Sequence, residues 1–195
     1  MLNDLSSTLA LLETRRSGKP REMVAPGPDA AQLARILAIA GRTPDHGKLF
    51  PWRFVTVAAE QRGALGELFV AALGAEEPEC LPAKQHAAIE FAHHAPSLVV
   101  LVAAPIAGHK IPLWEQELSA GAAAMNLLLA AHALGFVGSW ITGWQSYSPM
   151  VMARLCKPGE RIAGFFFIGS PLRALEERPR PEMGGIVREW SPGED

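Results

Sequence analysis

The fold is decided by the stretch Ser97-Leu98-Val99-Val100-Leu101-Val102-Ala103, whose five inner residues are all leucine or valine. A strand with one face in water alternates apolar and polar residues, whereas an unbroken apolar run is typical of a strand covered on both faces. The segment from Trp114 to Leu134 follows it and has the composition of a long, buried helix. Gly135 then supplies a residue that readily takes the left-handed conformation after a helix. These features predict a central strand and a long helix beside it.

Shorter helices and strands are predicted on both sides of this centre. Asp29 and Gln32 have the spacing of a capping box at the start of a helix. An earlier helix, at residues 3–16, would carry Leu5, Leu9 and Leu12 on one face. Further helices are predicted at residues 60–73 and 82–94, a loop at 19–28, and strands at 54–57, 138–141, 162–168 and, weakly, 184–190. No repeat or linker divides the sequence, so we expect one α+β domain over residues 1–195, a central sheet sandwiched between helices.

Composition and charge exclude several classes of protein. The chain has 195 residues, of which 49% are hydrophobic and 19% charged, so it can bury a core and is not expected to be disordered. Its 18 basic and 20 acidic residues give a net charge of -2, which offers no overall basic field for nucleic acid. Two cysteines are too few for a disulfide framework or a zinc site built on cysteine.

The sequence also bears on where in the cell the protein is expected. The N-terminus is acidic and lacks the features of a signal peptide. The most apolar segment, residues 118–134, contains polar residues and is shorter than the roughly 20 residues of a membrane span. A reduced cytoplasmic protein without a membrane partner is therefore expected.

Several common nucleotide, hydrolase and metal motifs are missing. The loop at residues 41–48 misses the phosphate-loop spacing by one residue, and no G-x-G-x-x-G or G-x-S-x-G pattern is present in a suitable place. His86, Glu90 and His93 fall on one face of a predicted helix, an acceptable ligand set for iron or zinc. A solvated helix face explains the same spacing and is favoured, so no metal is expected.

Three other stretches carry chemistry, and the first is Arg15-Arg16-Ser17 at the end of the first predicted helix. Two guanidinium groups beside a hydroxyl can hold a terminal phosphate through charge-assisted hydrogen bonds. Basic residues at the end of a helix also offset its dipole, which is a purely structural role. Both interpretations remain open for this segment taken alone.

The second stretch is the polar loop at residues 41–47, which leads into Phe50-Pro51-Trp52-Arg53-Phe54. Arg42 and His46 could reach a polar heterocycle from such a loop. Trp52 enters a predicted strand directly, so it is interpreted as a core residue rather than a ligand.

The third stretch begins with Trp114-Glu115-Gln116-Glu117-Leu118-Ser119-Ala120-Gly121-Ala122 and continues through Asn126 to Trp140, along the long predicted helix and into the strand after it. Its alanines and glycine would let another backbone or a flat ligand approach closely, although tight helix packing explains them equally well. The helix leads through a glycine-rich turn into a strand that delivers Trp140, Ile141 and Thr142 to an edge position.

Together, and in this order, the three stretches resemble the nitroreductase superfamily. The resemblance is strongest to small NAD(P)H nitroreductases with an Arg-Arg-Ser start, an Arg-x-Pro-Asp-His loop and a Trp-Glu-Gln-Glu helix. It extends from Leu9 to about Leu172. It implies the α+β nitroreductase sandwich and a homodimer with FMN at the interface between subunits.

The resemblance also implies a set of cofactor-binding residues. Arg15, Arg16 and Ser17 would bind the phosphate and ribityl end of FMN, Arg42 would contribute from the same subunit, and His46 would reach across from the partner. Trp140, Ile141 and Thr142 match the stretch along the flavin, and the turn at residues 130–135 matches a segment assigned to the nicotinamide nucleotide. Similar proteins have Arg-Ser at positions 141–142, so only backbone contacts are expected there. Arg178 and Arg180 are open between a phosphate contact and a solvated tail.

The implied activity is hydride transfer from NAD(P)H to FMN, followed by reduction of a small-molecule acceptor such as a nitroaromatic or quinone. This ping-pong scheme needs no protein acid or base, so no catalytic side chain is predicted. The alternatives are a dehalogenase or flavin-destructase type of activity in the same superfamily, and a flavin-binding redox module with slow turnover.

Overall fold

A computed structural model of the protein describes residues 1–192 and contains six α-helices and five strands in that range. The helices are α1 (Thr8–Thr14), α2 (Ala30–Ala40), α3 (Arg62–Glu76), α4 (Pro82–His93), α5 (Leu113–Ala133) and α6 (Pro149–Leu155). The strands are β1 (Met23–Val24), β2 (Trp52–Val57), β3 (Ser97–Ala103), β4 (Val137–Ile141) and β5 (Arg161–Pro171). No helix within residues 1–192 has both the length and the hydropathy of a membrane span.

All strand pairs in the sheet are antiparallel. β3 lies between β2 and β5, with Val100 opposite Val55 on one side and Phe165 on the other. β4 pairs with the opposite edge of β5, and the short β1 pairs with the end of β5. Six helices on a five-stranded antiparallel sheet confirm the predicted α+β class.

Each face of the sheet is covered by its own hydrophobic cluster. Leu98, Val100 and Val102 of β3 point to one side, where α3, α4 and α6 pack, and Val99 and Leu101 point to α2 and α5. Since side chains alternate along a strand, only a strand buried on both faces needs five consecutive apolar residues. All five are at most 1% exposed, which confirms the central strand predicted from this run.

A buried arginine ties the helical layer to the sheet. The Arg62 side chain at the start of α3 donates to the carbonyl oxygens of Val57 (3.1 Å) and Ala92 (2.8 Å), and also to those of His94 and Pro96. Only 3% of the residue is exposed, and burial lowers the pKa of the guanidinium. Its partners connect the end of β2 with the turn between α4 and β3.

The N-terminal helix is shorter than predicted. The expected helix at residues 3–16 is reduced to Thr8–Thr14, because the Ser7 hydroxyl accepts the Ala10 N–H and caps it there. The residues before the cap fold back, so that the Asn3 N–H donates to the Thr14 carbonyl at 3.0 Å.

Other predicted elements differ at the chain ends and in the loops. The predicted strand at residues 184–190 is wrong. A 3-10 turn at Met183–Gly185, with two consecutive glycines, begins this segment, and within the described residues the segment pairs with no strand of the sheet. Two elements were missed, β1 inside the predicted loop at 19–28 and helix α6. The capping box of Asp29 and Gln32 and the end of α5 at Gly135 (φ 87°) are confirmed.

Candidate functional site

The Arg-Arg-Ser segment lies against the first residue of β4. A side chain at Gly18 would place its Cβ 2.6 Å from Cγ1 of Val137, so only glycine allows this close approach. The chain leaving α1 therefore brings Arg15, Arg16 and Ser17 beside the strand that carries Trp140. Two of the three predicted stretches are thus neighbours in space.

Three arginines gather at this point, which we call the basic cluster: Arg15, Arg16 and Arg180. The Arg15 guanidinium donates to the Ser17 hydroxyl at 3.2 Å, and the Arg180 guanidinium donates to the Arg15 carbonyl at 3.2 Å. Burial, followed by the charges of Arg180 and Arg16, lowers the pKa of Arg15. Glu177, 2.9 Å from Arg180, neutralises only part of this charge. The cluster has the charge and the donors that an anionic group requires.

Arg16 does not act as a cap of α1. Its guanidinium donates to the carbonyl oxygens of Ser17 (2.9 Å) and Glu176 (2.8 Å), both outside the helix. Its structural contribution is therefore a link between the end of α1 and the C-terminal segment.

β4 supplies an edge beside the basic cluster. Within the described residues its strand partner is β5 alone, so the other edge of its backbone is not paired in the sheet. Trp140 is 40% exposed and stacks on Phe166 at 5.4 Å, while its indole N–H donates to the Ala163 carbonyl. Ile141 is half-buried and Thr142 is exposed. The predicted edge position of this stretch is confirmed.

The polar loop with Arg42 and His46 lies along α5, and the two residues contact different points on the helix. The Arg42 carbonyl is 3.5 Å from the side-chain nitrogen of Asn126, and Nδ1 of His46 is 2.7 Å from the Glu115 carboxylate. His46 is thus held at the N-terminal end of α5. Trp52, at the end of the loop, is buried, as predicted.

Positions along α5 give the separation of these groups. Nε2 of His132 accepts the N–H of Gly138, next to the Val137 that Gly18 approaches, so this ring marks the end of α5 beside the basic cluster. It is 17 residues from Glu115 and 6 residues from Asn126. At 1.5 Å per helical residue, these intervals are about 25 Å and about 9 Å. The Arg42 backbone therefore lies nearer than His46 to the end of α5 that is beside the basic cluster, whereas His46 lies at the other end of the helix.

An apolar stripe runs along the outer face of α5. Trp114, Leu118 and Met125 are 67%, 53% and 37% exposed, and their spacing places them on one face of the helix. Leu9 and Leu12 of α1 are also exposed, beside a groove of about 390 Å³ between α1 and α5. Several exposed apolar side chains on one helix face, as on α5, are typical of an interface with another protein.

The turn at residues 130–135 is mostly core. Ala130, Ala131 and His132 are buried, whereas Ala133 and Gly135 are exposed. Nε2 of His132 accepts the Gly138 N–H at 3.1 Å, and its Nδ1 has no hydrogen-bond partner among the described residues. Burial, reinforced by the charge of Arg15, lowers the pKa of His132 to about 4.

The neutral His132 predicts a loss of stability in mild acid. The unfolded chain, with a histidine pKa of about 6.5, binds a proton that the folded protein binds only near pH 4. The contribution of His132 to the free energy of unfolding is therefore fully present above about pH 6.5. It is lost as the pH falls towards 4, by roughly 3 kcal/mol in total. Urea unfolding at several pH values should show it in the wild-type protein.

The matched variant is His132→Gln, because the glutamine oxygen can still accept the Gly138 N–H but does not titrate. Other groups, such as His94, are present in both proteins and cancel in the difference. Parallel pH profiles for the two proteins would contradict the assignment.

The helix face with His86, Glu90 and His93 is solvated. Nε2 of His86 lies 3.3 Å from the Glu90 carboxylate, and both side chains are exposed. No three histidine, cysteine or acidic side chains within residues 1–192 are grouped as metal ligands would be.

Two contacts of the site had no signal in the sequence. Arg180 comes to Arg15 from 165 residues away, and Glu115 comes to His46 from 69 residues away. Both residues were visible in the sequence, Arg180 in an ambiguous tail and Glu115 in the Trp-Glu-Gln-Glu motif. Their neighbours follow only from the folded structure.

The fold and the site together define a class of protein. It is an α+β sandwich in which cationic side chains gather beside an unpaired strand edge, an arrangement that suits an anionic cofactor. The sequence profile of the nitroreductase family matches residues 12–170. The chain therefore belongs to the nitroreductase family, and it is an enzyme of the oxidoreductase class.

Individual relatives agree with this family. A Haemophilus influenzae protein that carries the provisional name NAD(P)H nitroreductase is 39% identical over 175 residues, which are 88% of this chain and 92% of that protein. A nitroreductase-like family protein from Bacillus cereus has the same fold, with a TM-score of 0.81 at 22% identity over 95% of this chain and 96% of its own. A nitroreductase with bound FMN from Bacteroides fragilis has a TM-score of 0.68 at 21% identity, over 95% of this chain and 100% of its own.

Proposed function

We propose that the chain is a single FMN-binding domain that uses NAD(P)H to reduce nitroaromatics, quinones or similar acceptors. The observation that carries this proposal is the basic cluster beside the unpaired edge of β4. The relative from Haemophilus influenzae is named for NAD(P)H, and the structural neighbour from Bacteroides fragilis binds FMN. When bound, FMN would supply the chemistry by taking a hydride from NAD(P)H and passing the electrons to the acceptor.

The basic cluster fits the phosphate of such a cofactor. Arg15, Arg16 and Arg180 bring three guanidinium groups together, with the Ser17 hydroxyl among them. Guanidinium groups bind phosphate through paired, charge-assisted hydrogen bonds, and the resident Glu177 leaves the cluster net positive. Arg180 therefore joins the predicted phosphate-binding residues in this proposal.

β4 fits the flat part of the cofactor. The backbone of residues 140–142 lies at an unpaired edge, so its N–H and C=O groups can bind the edge of a ring without the Arg-Ser side chains of similar proteins. The indole N–H of Trp140 already donates to the Ala163 carbonyl, so this side chain would contribute its ring surface rather than its hydrogen-bond donor. Arg42 would approach the ring from the loop that follows α2 and stabilise negative charge there.

A second copy of the chain would complete the site. Within one protomer, Glu115, the hydrogen-bond partner of His46, lies about 25 Å along α5 from His132, at the end of the helix beside the basic cluster, which is too far for a shared small ligand. Two copies with their α5 helices antiparallel would bring the N-terminal end of one helix to the C-terminal end of the other. The apolar stripe of α5 provides the surface for this two-fold contact.

One preparation tests these statements together. The purified or FMN-reconstituted protein should be yellow, release FMN on heating, sediment as a dimer and oxidise NAD(P)H when a nitroaromatic is added. Released FAD, or an FMN complex that sediments as a monomer, would contradict the site. Bound FMN without turnover of any acceptor would instead support the redox-module alternative.

A further inference from the structure

The loop between α2 and β2 contains three residues with left-handed backbone. Gly47, Lys48 and Phe50 have φ values of 84°, 57° and 50°. Glycine takes this conformation easily, whereas a side chain with a Cβ, and an aromatic one above all, is strained in it. Such strain persists only where neighbouring contacts determine the backbone, and it is concentrated at functional sites.

Contacts on both sides hold Phe50 in this conformation. The Asp45 carboxylate accepts the Phe50 N–H at 2.8 Å, and the Phe50 carbonyl accepts the Trp52 N–H at 2.7 Å. Gly47 packs against Ile111, where an added Cβ would lie 2.3 Å from Cδ1 of that residue. The loop is therefore fixed at its start, its middle and its end.

This arrangement presents the Phe50 ring to solvent. The residue is 66% exposed, with its ring edge-on to Trp52 at a centroid distance of 6.4 Å, and Trp52 is only 8% exposed. An exposed aromatic ring on a strained backbone adds little to the stability of the fold, because the ring buries little apolar surface and the backbone conformation is unfavourable. The strain is explained if the ring has a binding role.

We propose that Phe50 is the stacking surface for the planar aromatic acceptor. The inference rests on the proposed function, since Phe50 belongs to the same loop as His46 and would reach the partner's site with it. Nδ1 of His46 is hydrogen-bonded to Glu115, and the side chain is 69% exposed, so Nε2 is available to a ligand. An exposed aromatic face and an available polar nitrogen on the same loop suit an electron-poor ring with oxygen substituents, as in nitroaromatics and quinones. The occupant is thus a small planar acceptor rather than a protein.

The test compares Phe50→Gly with Lys48→Gly. Both variants relieve left-handed strain, but only the first removes the ring. In Phe50→Gly the urea midpoint should stay constant or rise, while KM for a nitrobenzene derivative should rise roughly five- to ten-fold relative to KM for ferricyanide. Lys48→Gly should keep the wild-type ratio of the two KM values.

Each other outcome overturns the inference in a recognisable way. A lower urea midpoint in Phe50→Gly with an unchanged KM ratio would give the ring a structural role. Dissociation of the dimer in that variant would make the ring a contact with the second copy. If the wild-type protein reduces neither acceptor, the proposed function fails and the inference fails with it. If it reduces both and the ratio is unchanged in the variant, the inference alone fails.

Discussion

Replacing Arg62 with leucine should lower the free energy of unfolding by about 3–5 kcal/mol, as measured by urea unfolding followed by circular dichroism. Leucine cannot donate to the carbonyl oxygens that Arg62 holds, those of Val57 and Ala92 above all. Buried acceptors without donors keep the full cost of desolvation. The free energy of unfolding of a typical domain is only about 5–15 kcal/mol, so this one change should remove a large share of the stability.

Two further variants separate the hydrogen bonds from the charge. Arg62→Lys keeps the charge but cannot reach the same carbonyls, so an intermediate loss is expected. Arg35→Leu removes an exposed arginine from α2 and should shift the stability by no more than about 0.5 kcal/mol. Equal urea midpoints for Arg62→Leu and Arg35→Leu would show that the buried guanidinium does not hold the two layers together.

The role of Arg62 illustrates what a local pattern omits. In the sequence it is a charged residue near the start of a helix, and such residues usually face solvent. Its partners at residues 92–96 are about 30 positions away and become neighbours only when α3 and α4 pack. The central strand at residues 97–103, in contrast, could be predicted, because a strand buried on both faces needs consecutive apolar residues.

The site shows the same division. The sequence predicted the individual stretches and, through the family resemblance, their grouping around a cofactor, of which the structure shows the Arg-Arg-Ser segment beside β4. It did not show that Arg180 joins Arg15, because the C-terminal segment returns to α1 through irregular backbone without a periodic pattern. The strained Phe50 also had no signal, since phenylalanine disfavours the left-handed region and would not be predicted there. Features that depend on distant contacts or on strain were found only in the structure.

Replacing Arg16 with alanine should weaken FMN binding by about ten- to more than a hundred-fold, equivalent to roughly 1.5–3 kcal/mol. Arg16 lies in the basic cluster, and among residues 1–192 its guanidinium donates to two acceptors, the backbone carbonyls of Ser17 and Glu176. These neutral acceptors leave its positive charge for a phosphate to neutralise. Fluorescence titration of the apo-protein with FMN measures the change directly.

The same variant also tests a purely structural role for Arg16. Loss of the two carbonyl contacts should cost about 0.5–1.5 kcal/mol of stability whether or not a phosphate binds. Arg35→Ala, which makes the same charge change on the exposed face of α2, should leave FMN affinity at the wild-type value. If Arg16→Ala lowers the melting temperature while FMN affinity stays unchanged, Arg16 serves only to fasten the C-terminal segment to the end of α1. A large loss of affinity in Arg16→Ala alone assigns the guanidinium to the phosphate, because the two variants remove equal charge from different places.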